Sequence, residues 1–329
     1  MREIIDEGML DLLGGMYSSM EISYLFFAAE VQGLCAIFMF LHFGVKSYGM
    51  MVGDQRLQVL PLLRPFAIAM VVIFWGQFVS IINEVTGIIT NTSKVVFEMK
   101  VSTIDALQLE RMELIDDIAT KLIESSAELE NVQESDDESW YETLGVDFSS
   151  LLDPIKGYYI IIISKFRFML VQLIEFLVLT IFQVSTYIVF FLQAIFSAVL
   201  VTFGPFSFAI SILPAFKDAY VHWLSRFVAV ALYSAIGYLV LFLSLTIVQY
   251  GMMQEIEFLK YVMDNEAAFI AYVSSNDGGT SFYIIGLLLG SLGMLSVPVI
   301  STWIVATSGV GSAITGALHG ATRMVTIGR

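Results

Sequence analysis

The sequence predicts an all-α, polytopic membrane protein, and three observations predict it. Its 329 residues are 57% hydrophobic and 14% charged, against roughly 45–50% apolar and about 25% charged in soluble domains. Four apolar stretches exceed the ~18 residues that signal a bilayer span, and a fifth, residues 22–45, does so with one acidic interruption. The charge is also sided, as the segments taken in order make plain.

Residues 1–21 carry Glu3, Asp6, Glu7 and Asp11 against Arg2. That polarity is wrong for the basic leader of a cleavable signal, so the first apolar run is expected to be retained. It covers residues 22–45 and holds the single cysteine, Cys35, which reads as a packed thiol. Residues 46–64 form a loop ending in "PLLRPFA", where Pro61 and Pro65 frame Arg64. Proline fits a helix start because its missing N–H would be unsatisfied there anyway. A second span is expected over residues 65–89.

Residues 90–157 read as an acidic external domain. Ile104, Leu107, Leu114, Ile118 and Leu122 recur at helical spacing with Glu and Asp between them, which predicts one or two amphipathic surface helices. Their apolar face either docks a partner helix or folds back on its own neighbours. The run QESDDES at 133–139 reads as a solvated linker, because it lacks the alternating ligands and central Gly of a calcium loop.

Residues 158–203 contain no Gly or Pro and are expected to form one long helix whose first turns project beyond the outer interface. A tight reversal inside lipid would leave backbone groups unsatisfied. Gly204, Pro205 and Pro214 then break an apolar elbow over residues 204–226, followed by a fourth span at 227–250, an external loop at 251–281 and a fifth span at 282–307. A Gly-rich tail occupies 308–329. Gly286, Gly290 and Gly293 give the last span the small residues that let helices approach closely in lipid.

Orientation follows from the short loops. Segments 46–64, 204–226 and 308–329 hold seven Lys and Arg, whereas 1–21 and 251–281 hold two. The positive-inside rule therefore places the N-terminus outside and the C-terminus inside. Residues 90–167 have a net charge of −9 but translocate regardless of charge because of their length.

The net charge of −15 comes with no Lys/Arg cluster, so direct nucleic-acid contact is doubtful. No P-loop, HExxH, GxSxG or CxxC pattern occurs, and His42, His222 and His319 lie scattered over three segments. No enzyme, metal or cofactor is expected. Glu30, Glu84 and Glu175 lie within spans, where an ionisable group costs several kcal/mol unless paired or hydrated. Glu84 lies near the outer end of its span and snorkels. With Gln32, Gln77, Gln172, Gln183 and Gln193, Glu30 and Glu175 either knit the bundle or line a hydrophilic path. A secondary transporter with Glu30 and Glu175 as coupling carboxylates is the rival function, although no internal repeat supports it.

Three blocks carry a family likeness: "LPLLRPFAIAM" at 60–70, "FGPFSFAIS" at 203–211 followed by Phe216, Trp223 and Arg226, and "VPVISTW" at 297–303 followed by "SGVG". Together they resemble the TraJ family of Bacteroides-type conjugative transposons, which is similar in turn to the TrbL-like polytopic inner-membrane subunit of type IV secretion systems. The likeness thins over 90–157. It implies a non-enzymatic subunit of the bacterial inner membrane that supports DNA and protein transfer or pilus assembly. It also implies a homo-oligomeric ring, contacts with membrane lipids, and neighbours that include a secretion ATPase, bitopic scaffold proteins and pilin. By position, Arg64, Pro205, Phe208, Trp223, Arg226, Pro298 and Trp303, with Pro61, Pro65, Gly204 and Phe216 beside them, are expected to serve structure and partner docking.

Overall fold

The computed structural model describes residues 5–20, 23–53, 59–134, 148–274 and 281–305. Their regular structure is helical throughout. The order is α1 (Glu7–Met20), a 3-10 turn (Ser23–Phe27), α2 (Ala28–Met51), α3 (Val59–Ile73), α4 (Trp75–Glu134) and α5 (Phe148–Ile210). A second 3-10 turn (Pro214–Phe216), α6 (Ala219–Ala231), α7 (Tyr233–Asp264), α8 (Glu266–Ser274) and α9 (Ser281–Ile304) follow. Four helical stretches are long and apolar enough to cross a membrane, or five if the bent pair α3–α4 counts as one. The chain is therefore a multi-pass membrane protein by length and composition.

Several expected boundaries move. The loop expected at 46–64 is largely helical: α2 runs to Met51, and Gly53 then turns the chain with φ +83°, a conformation that glycine adopts without strain. Pro65 lies inside α3 rather than at its start. Residues 65–89 are not one straight span, because Leu63–Ile73 and Trp75–Lys121 meet at 80°. From Trp75 a single helix runs through the expected external domain to Glu134, and residues 135–139 of the acidic run lie outside the described residues. One unbroken helix covers 158–203, extends from Phe148 to Ile210, and so passes straight through Gly204 and Pro205. The break falls later, at residues 211–218. The loop expected at 251–281 is instead the end of α7 followed by α8. The Gly-rich tail at 308–329 lies outside the described residues.

The chain divides into two compact units, one built from Met1–Ile5, Phe97–Val184 and Leu241–Leu292, the other from Asp6–Val96, Ser185–Val240 and Gly293–Arg329. In the first unit α4 and α7 run parallel, joined by a ladder of polar contacts. Lys100 Nζ donates to Gln249, Glu110 pairs with Lys260 at 2.6 Å, and Lys121 Nζ donates to the Met263 carbonyl at 3.1 Å. Beneath that ladder Ile118 is buried with Leu259 and Val262 of α7 and Phe269 of α8, and Leu114 packs against them. The amphipathic face of α4 is thus covered by its own chain, which decides between the two readings left open by its periodicity.

The second unit is organised around aromatic rings. Trp75, Phe208, Trp223 and Phe227 are buried with Val31, Cys35, Ile68 and Val201. Trp223 stacks on Phe227 with centroids 4.9 Å apart, and Trp75 meets Trp223 at 4.8 Å. Phe27 at the start of α2 stacks on Phe203 near the end of α5 at 6.0 Å. The expected topology puts residue 22 at the outer face and residue 203 at the inner one, about 30 Å of hydrocarbon apart, whereas these two helix ends meet.

Candidate functional site

In the first unit the sequence-predicted Glu175 does not stand alone in lipid. Arg111 from α4 reaches it from beside: Nη2 contacts Oε1, and Nη1 donates to Oε2 at 3.5 Å. The Nε edge of the same guanidinium lies 2.9 Å from Glu255 Oε2 of α7, an ion pair rather than an aligned hydrogen bond. Its flat face lies over the Tyr283 ring of α9, 5.1 Å from the centroid. A planar cation thus uses its fork, its edge and its face on three helices, which a lysine cannot do.

The cluster is nearly dry. The Arg111 and Glu255 side chains are 5% and 3% exposed, and Glu175 is 18% exposed. With both carboxylates ionised the trio carries one net negative charge. It borders a cavity of about 840 Å³ lined also by Gln108, Glu113, Asp116, Gln172 and Phe176. Chemically the arrangement offsets the buried Arg111 charge and ties α4, α5, α7 and α9 together.

In the second unit the residues that carry the family likeness meet around one turn of α5. Pro205 has no N–H, so the Val201 carbonyl four residues earlier lacks its helical donor. Trp75 Nε1 supplies it at 3.0 Å, and Trp223 Nε1 donates to the adjacent Leu200 carbonyl at 2.8 Å. Gly204 makes room for both indoles: a Cβ there would lie 2.2 Å from Trp75 Cζ2 and 2.8 Å from Trp223 Cε2. Phe208 meets the Trp75 ring edge-on at 5.3 Å. Arg64 donates to the Lys217 carbonyl and lies 5.6 Å from the Tyr220 centroid, so α3 grips the elbow.

The other predicted residues do not join that cluster. Phe216, Arg226 and Trp303 are exposed, Pro298 is half-buried inside α9, and the side chain of Pro61 lies outside the described residues. Glu30 is exposed on α2, and Glu84 is exposed with Ser80 Oγ 3.5 Å from its carboxylate. The glycines of α9 pack within the chain. A Cβ at Gly286 would meet Val248 at 3.2 Å, and one at Gly290 would meet Phe182 at 2.7 Å and Ser244 at 2.9 Å. One at Gly293 would meet Val240 at 3.1 Å.

A second cavity, about 310 Å³, lies in this unit between α1, α4, α5 and α7. Of the predicted polar residues it takes in Gln193, whose amide donates to the Ala231 carbonyl at 3.3 Å and accepts from Ser234. Gln193 thereby bridges the step between α6 and α7.

Trp75, Arg111, Glu255 and Tyr283 escape the sequence reading. A signal exists for Arg111: the apolar series 104, 107, 114, 118 skips one helical step, and Arg111 fills it. A cation on the buried stripe of an amphipathic helix requires a buried anion. No comparable signal marks Glu255 among its acidic neighbours.

No curated protein and no solved structure matches the chain. The family of homologues of TraJ from Bacteroides conjugative transposon matches residues 6–326, nearly the whole length and through all three blocks quoted above. The chain belongs to that family.

Proposed function

We propose that this TraJ-family protein is a non-enzymatic channel or scaffold subunit of a conjugative type IV secretion system, embedded in the bacterial inner membrane. The observation that carries the reading is the family match over residues 6–326. In this reading the chain assembles as a homo-oligomeric ring, beside a secretion ATPase, bitopic scaffold proteins and pilin, and supports DNA and protein translocation or pilus assembly. Segments 46–64 and 204–226 face the cytoplasm, and the acidic segment 90–157 faces outward.

The two side-chain clusters fit a structural role. Both spend their polar atoms on each other or on backbone carbonyls, as parts that hold helices in register do. The rival transporter reading loses its carboxylate pair, because Glu175 is committed to Arg111 and Glu30 is exposed on α2.

The test is genetic and biochemical together. A donor strain with an in-frame deletion is expected to lose transfer of the element and to regain it on complementation. Cysteine cross-linking of the complementing protein is expected to yield a ladder ending at one closed oligomer. Wild-type transfer from the deletion strain would overturn the proposal.

A further inference from the structure

The geometry around Phe74 does not build the two membrane crossings expected from residues 22–45 and 65–89. α3 has 15 residues and meets the following helix at 80°. If the following helix stands along the membrane normal, α3 climbs only about 4 Å at ~1.5 Å per residue, against a hydrocarbon core of ~30 Å.

The start of α4 is the member of the pair that stands beside a spanning helix. Trp75 Nε1 bonds to Val201, and Phe78 meets the Phe208 ring at 5.5 Å, both on α5. The start of α2 returns to the same place. Phe27 lies on Phe203, and a Cβ at Gly76 would fall 2.5 Å from the Tyr24 hydroxyl. Between these ends α2 and α3 are paired, with the Phe43 and Phe66 rings 5.3 Å apart. The two helices form a hairpin whose base closes on residues 201–208 of α5.

Among the described residues, none covers the outer side of this hairpin. Leu63, Phe66, Met70 and Ile73 form an exposed row along α3 at three- and four-residue steps, and Ile37, Leu41 and Tyr48 continue it along α2. Only 11% of the apolar window of α2 is buried, against 44% for α5. Cations border the hairpin: Lys46 lies near the end of α2 and Arg64 near the start of α3, and Arg64 is bonded to the backbone of Lys217, whose acidic neighbour is Asp218. Apolar rows edged by cations suit the boundary between acyl chains and anionic headgroups.

We infer that the α2–α3 hairpin is a monotopic insertion that lies in the plane of the inner leaflet, with anionic phospholipid as its partner, and does not cross the bilayer. The membrane is then crossed by α4, α5, the α6–α7 pair and α9. Segments 46–64 and 204–226 stay on one face, as their basic residues require.

The experiment is a depth profile. Full-length protein with Cys35→Ala and single spin-labelled cysteines at positions 63, 66, 70 and 73 is placed in vesicles of phosphatidylethanolamine and phosphatidylglycerol, and depth is read from oxygen against nickel accessibility. An in-plane helix gives four depths within ~5 Å, whereas a crossing helix gives a steady progression of ~15 Å over those ten residues. The progression would overturn the inference. Labels at Leu288, Leu292, Leu295 and Val299 of α9 give the slope of a crossing helix in the same sample. A second arm carries Lys46→Glu with Lys217→Glu. The α3 labels are expected to become shallower in the anionic vesicles and to stay at the same depth in phosphatidylcholine alone; equal depths in both would overturn the anionic-lipid partner. These readouts are independent of DNA transfer, so failure here leaves the secretion proposal standing and the reverse also holds.

Discussion

Arg111 is held on every side that a guanidinium offers, and that makes its removal costly in a specific way. Arg111→Met leaves Glu175 and Glu255 buried with no counter-charge, a loss of about 3–5 kcal/mol for a broken buried ion pair. Denaturant unfolding of detergent-solubilised protein measures it. The triple variant Arg111→Met, Glu175→Leu, Glu255→Leu is expected to recover most of that stability, because well-packed apolar groups replace buried charges at little or no cost. A single variant as stable as the parent would show that water already reaches the cluster. Glu175→Gln and Glu30→Gln should also separate: the first weakens the fold through Arg111, and the second, on an exposed side chain, leaves both fold and transfer unchanged. Loss of transfer by a well-assembled Glu30→Gln protein would restore the relay reading. At this scale the sequence exposes individual charges but not their partners, because Arg111 and Glu255 are 144 residues apart and belong to different helices.

At the scale of elements, hydropathy and helical period locate the helices, whereas the joints between them come from tertiary contacts. Gly204 and Pro205 look like a break because local propensity disfavours both in a helix interior by ~1 and ~3 kcal/mol. The helix continues because two indole N–H groups from α4 and α6 satisfy the carbonyls beside the proline. The opposite happens at Phe74, itself neither Pro nor Gly, yet α3 and α4 meet there at 80° as Trp75 turns inward to Val201 and Gly76, two residues on, leaves room for Tyr24. A double-mutant cycle tests the first account. Trp75→Phe removes the donor to Val201 and is expected to cost about 1–3 kcal/mol. In a Pro205→Ala background the new N–H can take over, so the same substitution should cost less, with a coupling on the order of 1 kcal/mol. Equal costs in both backgrounds would detach Trp75 from the proline. The glycines give a matching contrast. Gly204→Ala drives a methyl into two rings and is expected to destabilise by roughly 1–3 kcal/mol. Gly33→Ala on α2 meets open space and should be neutral or gain up to ~1 kcal/mol from helix propensity.

For the whole molecule, the sidedness of charge is the property that composition reveals most directly, and the α6–α7 pair is where it can be tested with least interference. Residues 214–264 form a single candidate crossing, beginning at the elbow that holds Lys217 and ending at Asp264, with both of those side chains exposed. The elbow belongs to the basic set of segments that marks the cytoplasmic face. Beyond residue 250 the helix carries Glu255, Glu257 and Asp264 against Lys260, an excess of acid suited to the outer side. In a Cys35→Ala background, Lys217→Cys should react with a membrane-impermeant maleimide in inverted vesicles and stay unlabelled in intact spheroplasts, and Asp264→Cys should do the reverse. Ser211 would be a poor reporter of the inner side, because it is buried and bonded to the Phe208 carbonyl at 2.6 Å. Labelling of both positions from the same side would mean that α6 and α7 return to the face they started from. The step at Leu232, which Gln193 spans from α5 by way of Ala231 and Ser234, would then be a turning point within the membrane.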